Sequence, residues 1–204
     1  MAQRLLHAPP IDLSVGAFTI RSVLEAHGRS IEQVQFVAEH YVVTVLGGMV
    51  SVFAPGLGGR YRVERSRRRL VRLEGSGAAF PEMQRLFGEP VVDEERKGVE
   101  LNGRCCRFLR VVNRGGRLPI RIECWCDRVE GLRLSALPAE REFDASRSPG
   151  WIPLQDDEVV CRAALRVIGS EFEYAQTLRL QSVARGVEGA EWWEELLRYP
   201  VHRG

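Results

Sequence analysis

The chain has 204 residues, 45 % of them hydrophobic and 27 % charged, and a formal net charge of +2. That composition suits one soluble globular domain with a full-sized core and excludes a disordered tail, a collagen-like fibre and a disulfide-stapled miniprotein. Lys97 is the one lysine and the other basic residues are arginines; so small an excess gives no support to a polyanion partner, and no nucleic acid is expected.

In chain order, Ala17 to Glu25 and Ile31 to Val37 predict a first strand pair around His27-Gly28. Tyr41 to Leu46 and Met49 to Phe53 alternate apolar and polar residues on either side of Gly47-Gly48, the signature of a tight hairpin. Tyr61 to Glu64 and Leu70 to Leu73 flank an arginine-rich turn. Pro81 to Phe87, closed by Gly88 and Pro90, reads as a short helix. Arg104 to Val112 pairs with Ile120 to Asp127 across a Gly-rich connection. Pro138 to Glu158 reads as a long surface excursion, and Val159 to Ile168 followed by Phe172, Tyr174, Leu178 and Leu180 as a last hairpin. Ala190 to Tyr199, closed by Pro200, predicts an amphipathic helix with Trp192, Trp193, Leu196 and Leu197 as its apolar stripe. The expected architecture is a single α+β domain over residues 1–204: a curved, half-barrel-like antiparallel meander with a few short helices. No apolar run is long enough for a membrane span and Met1 to Pro10 holds no signal-peptide core, so the expected location is cytoplasmic.

Three features could carry chemistry. The cysteines are Cys105, Cys106, Cys124, Cys126 and Cys161. A turn centred on Gly115 would set Cys106 opposite Cys124 with Cys126 diagonal to it, open to a zinc site of Cys105, Cys106, Cys124 and Cys126, to a cross-strand disulfide, or to plain core thiols. The spacing lacks zinc knuckles and the count is odd, so buried thiols without metal or cofactor are favoured. Arg65, Arg67, Arg68 and Arg69 at a hairpin tip are candidate anion contacts, with a solvated turn as the plain alternative. His7, His27, His40 and His202 never fall at metal-pair spacing, Gly56-Leu57-Gly58-Gly59 precedes a strand and not a helix, and Asp156-Asp157-Glu158 lies in a polar loop, so no catalytic residue is nominated.

The order Tyr61-Arg62-Val63-Glu64, Leu70-Val71-Arg72-Leu73, a short helix, Leu101 to Phe108, Ile122-Glu123-Cys124-Trp125-Cys126-Asp127 and the ending Leu196 to Val201 resembles the lipoprotein-carrier (LolA/LolB-like) superfamily. The resemblance implies a strongly curved antiparallel sheet with an apolar concavity for an acyl chain or peptide. The expected function is a non-enzymatic binding protein whose partner is a hydrophobic small molecule, an acyl chain or another protein, with homo-oligomers allowed. Trp125, Trp192, Trp193, Leu196 and Tyr199 are its expected contact residues. The alternatives are an enzyme acting on a small hydrophobic substrate in that cavity through a carboxylate or Cys106, and a structural or assembly subunit.

Overall fold

A computed structural model of the chain describes residues 17–38, 41–54, 59–73, 88–117, 119–131, 153–155, 157–167, 175–186, 195–196 and 198–202. Twelve strands are formed: β1 (Phe18–Ala26), β2 (Arg29–Ala38), β3 (Tyr41–Leu46), β4 (Met49–Ala54), β5 (Gly59–Glu64), β6 (Arg69–Arg72), β7 (Gly88–Leu101), β8 (Arg104–Gly115), β9 (Ile120–Arg128), β10 (Glu158–Val167), β11 (Ala175–Arg185) and β12 (Val201–His202). They make one open, curved sheet in the order β12-β6-β5-β4-β3-β2-β1-β11-β10-β9-β8-β7. The chain therefore runs outward as one meander, β1 to β6, begins again at the far edge with β7, and returns inward to pair β11 with β1. Among the described strands, only the two-residue β12, beside β6, is parallel to its neighbour.

The predicted hairpins form because their turns suit the local twist. Gly47 and Gly48 take φ of 54° and 86°, the left-handed geometry of a two-residue connection, and Asn102-Gly103 does the same between β7 and β8 at 51° and 76°. The antiparallel meander expected from the sequence is present, but the α+β class is corrected. Of the described residues, 77 % are in strands and 4 % are helical, with no helix of seven or more residues among them. Part of the reason is β7, fourteen residues long and read past in the sequence because Glu89, Asp93, Glu94, Glu95, Arg96, Lys97 and Glu100 leave it no apolar alternation. An edge strand with little buried face needs none, and its charges, Pro90 and two bulges discourage pairing with another chain. The predicted helix at Pro81 to Phe87 and most of the one at Ala190 to Tyr199 lie outside the described residues. Among those described, the helical residues are Glu195 and Leu196 and a 3-10 turn at Arg65–Arg67.

The register of β8 on β9 also differs from expectation. Strand β8 continues through Gly115, which pairs with Gly88, and the Asn113 side chain accepts the Ile120 N–H, so the connection is centred beyond Gly115. Leu109 then faces Cys124 and Arg107 faces Cys126. Because side chains alternate, a slip by an odd number of residues moves Cys106 to the opposite face from Cys124.

We call the face bearing Phe36, Val43, Val52 and Trp125 the front and the face bearing Val37, Val42, Ile122 and Cys124 the back. On the front of β2–β6, Val34, Phe36, Val43, Val50, Val52, Tyr61, Val63 and Leu70 form a core that Leu196 and Tyr199 complete. On the back, Phe18, Ile20, Val37, Val42, Phe53 and Val159 form a second core. A third follows over β8–β11, built on Leu109, Val111, Ile120, Ile122, Cys124, Cys126, Val160 and Ala163.

Candidate functional site

Strands β10 and β11 are paired only where Arg162 to Arg166 meet Arg179 to Ala175. Beyond that point they part: Glu158 to Val160 pair with β9, whereas Leu180 to Arg185 pair with β1. Each strand is bulged at the parting, with Cys161 the extra residue between Val160 and Arg162, and Gln181 between Leu180 and Ser182. A bulge bends its strand and raises the local twist. The back face consequently opens into a groove with walls of Ile20, Val159, Val160, Leu178 and Leu180 and polar groups from Ser22, Gln33 and Gln35. None of these side chains titrates in the physiological range. Ser22 and Gln35 are buried, and the cavity volume is about 10 Å³, room for about one water molecule.

Next to the groove, the first residue of β10 supplies the most deeply buried charge. Glu158 is 2 % exposed and is held by Arg107 from β8: Nε donates to Oε1 at 2.8 Å and Nη2 donates to Oε2. The Gln155 N–H also donates to Oε2 at 2.8 Å, and Arg107 Nη2 donates to the Pro153 carbonyl at 2.8 Å. The carboxylate raises the Arg107 pKa above its ordinary value, outweighing the opposite effect of burial. A carboxylate fixed by a two-pronged guanidinium and a backbone amide has its lone pairs engaged, which suits it to anchoring the 153–158 segment over the back core and not to proton transfer.

The structure divides the cysteines. Cys124 and Cys126 lie two apart on the back of β9 with sulfurs 3.3 Å apart, and burial pushes the Cys124 thiol far up. Cys106 and Cys161 share a side-chain hydrogen bond; burial raises the first and takes the second to about 12. Cys105 is exposed, and all five are free thiols. Among the described residues, no group of three or more His, Cys, Asp or Glu is placed to hold a metal ion. The four cysteines weighed as a zinc set thus occupy three different places.

The expected contact residues are not brought together either. Trp125 is half-buried on the front of β9, on the opposite side of the sheet from the groove. Its ring meets Phe108 edge-on at 5.1 Å, and the Arg162 guanidinium lies 5.2 Å over it. Leu196 and Tyr199 are buried members of the front core at the other end of the sheet. The Pro200 carbonyl beside them accepts the Leu70 N–H at 2.9 Å. Trp192 and Trp193 lie outside the described residues.

The arginine tip is largely self-neutralised. Arg69 reaches Glu64 at 2.6 Å and Arg67 at 3.8 Å, while Arg68, left-handed at φ 45°, bonds Glu195 at 2.7 Å. The Arg69 hydrogen bond foremost holds the Glu64 carboxyl below its usual range, and Arg68 does the same for Glu195.

No protein-family model matches the chain, and no curated protein resembles it. The sequence reading missed Ser22, Gln33 and Gln35, although a signal existed. In β1 the alternation Phe18, Ile20, Ser22, Leu24 puts a hydroxyl in an apolar phase, and in β2 Gln33 and Gln35 occupy the same phase as Val37.

Proposed function

We propose that this protein binds an apolar ligand without chemical conversion, and that the ligand lies along the groove where β10 and β11 part. The observation that carries this reading is the make-up of the groove: five aliphatic walls with uncharged Ser22, Gln33 and Gln35 among them. Aliphatic walls recognise a hydrocarbon segment, while a few amide and hydroxyl groups orient a polar end. A catalytic site would instead gather titratable groups with opposed ionisation. The nearest buried carboxylate, Glu158, is bound to Arg107. Since the resting cavity has room for about one water, an acyl chain or apolar peptide lies along the open side of the groove and widens it as the parted strands move. The resemblance to lipoprotein carriers supports the same ligand class.

Native mass spectrometry of the purified protein, together with titration by a fluorescent long-chain fatty acid, tests the proposal. The expected result is one equivalent of bound probe and at least about tenfold weaker binding for Leu180→Arg, which puts a charge on the apolar wall. Equal binding by both proteins, or no binding by either, would sink it.

A further inference from the structure

The front of β7–β11 and β1 is covered with arginines, and nearly all of them have a partner on the same face. Arg110 bridges Glu94 and Glu123, Arg96 meets Glu94, Arg104 meets Asp127, Arg179 meets Glu25 and Arg21 meets Glu32. Arg162 lies over Trp125. Arg114 has the carboxylate of Glu89 as its direct cross-strand neighbour, whereas Arg121 and Arg166 break this pattern. They are direct cross-strand neighbours on β9 and β10, both exposed, and among the described residues neither side chain meets a carboxylate, a hydrogen-bond partner or an aromatic ring.

Directly opposed residues on antiparallel strands have Cα atoms about 4.5–5.5 Å apart, so two guanidinium groups leave the same face side by side. Like charges in that arrangement destabilise a sheet. The flanking residues in the same row, Val112 on β8 and Ala175 on β11, supply no negative charge. Glu123, two residues along β9 on the same face, is already directed to Arg110.

We propose that Arg121 and Arg166 form a two-arginine clamp for a phosphate group. A phosphate monoester carries close to two negative charges at neutral pH and offers several acceptor oxygens, which suits two planar guanidinium forks. A carboxylate would neutralise only one of them. The clamp is on the face opposite the groove, so the two sites stand or fall separately. The phosphate could be borne by a small soluble molecule or by a lipid headgroup; the chemistry recognised is the same.

The test uses the full chain with glycerol 3-phosphate as the soluble probe and vesicles of phosphatidylcholine with and without phosphatidic acid as the lipid probe. Calorimetry should find saturable glycerol 3-phosphate binding that persists when chloride is adjusted to equal ionic strength, weakened about tenfold or more by Arg166→Gln and by Arg121→Gln, because charge-assisted contacts are lost. Sedimentation with phosphatidic acid vesicles but not with phosphatidylcholine alone, lost in the same variants, would assign the phosphate to a lipid. Binding of the soluble probe only would assign it to a small molecule. Arg166→Glu provides its own internal partner for Arg121, so it should raise the thermal midpoint in phosphate-free buffer while abolishing binding. Binding unchanged in the Gln variants, or wild-type binding of neither probe at equal ionic strength, overturns the clamp.

Discussion

In β4, Val50 and Val52 are buried on the front of the sheet, and Ser51 between them is half-exposed on the back; in β9, Ile122, Cys124 and Cys126 are buried on the back, and Glu123 and Trp125 face the front half-exposed. Both strands alternate with period two and belong to one sheet, yet they bury opposite faces. The exchange happens in β1–β3, where Phe18-Thr19-Ile20, Val34 to Ala38 and Tyr41-Val42-Val43 are buried without interruption. Burial on both faces calls for largely apolar runs, and the start of β10, Val159-Val160-Cys161, is another such stretch. Among the described residues, one sheet thus carries cores on both faces without a second layer of strands. Each end leaves its other face to polar or charged residues, with the arginine rows at the front of β7–β11 and Thr44, Ser51 and Arg62 at the back of β3–β5.

The largest effect should come from the back-face end. Replacing Arg107 by Ala strands the buried Glu158 carboxylate and should destabilise the fold by about 3–5 kcal/mol in chemical denaturation. Replacing Arg107 and Glu158 together by Met and Leu should cost much less, since no uncompensated charge remains. A double variant as unstable as the single one would mean that the pair organises the 153–158 segment in a way its charge balance does not explain.

An intermediate effect is expected from the thiols of that same end. Cys161 has a folded-state pKa of about 12, above that of an unfolded thiol, because burial disfavours the thiolate. Its contribution is therefore fully present below the unfolded thiol value near 8.5 and is lost as pH rises from there toward 12. Cys161→Ser should flatten that alkaline loss. At neutral pH a thiol reagent should label Cys105 fast and the other four only at the rate of opening; fast labelling of Cys124 or Cys126 would show that the back core is open.

The smallest effect belongs to the front-face end. Arg68→Ala removes the bond to Glu195 that ties the arginine tip to the C-terminal segment. Faster hydrogen exchange at the Leu70 amide, whose acceptor is the Pro200 carbonyl, should report the loosening while the global midpoint hardly moves. The Glu195 carboxyl is held below its usual range, so this link acts above the unfolded carboxylate pKa and fades as pH falls through the lowered one. Wild type and variant should then exchange alike in acid.

The hairpins were readable from the sequence because Gly47-Gly48 and the alternation beside it are local signals, and the same holds for the β5–β6 and β10–β11 pairs. Strand β7 was not, since a charged edge strand carries no burial pattern. The β8–β9 register was misjudged by centring on Gly115, and with it the faces of Cys106 and Cys124. Trp125 was readable as a strand residue, but which face it takes depends on that register. The groove depends on two bulges, at Cys161 and Gln181, whose pairing partners lie 35 to 160 residues away along the chain. No local pattern encodes such a parting.

The exchange of buried faces is tested most directly by chemical denaturation of four single substitutions, Ser51→Asp and Val52→Asp in β4 and Arg121→Asp and Ile122→Asp in β9. Val52 and Ile122 are each 1 % exposed, so a carboxylate at either should cost several kcal/mol or prevent folding. Ser51→Asp and Arg121→Asp should stay within about 1 kcal/mol of wild type, since both side chains reach solvent. A tolerant Val52→Asp or Ile122→Asp, or a collapse caused by either neighbour, would contradict the account.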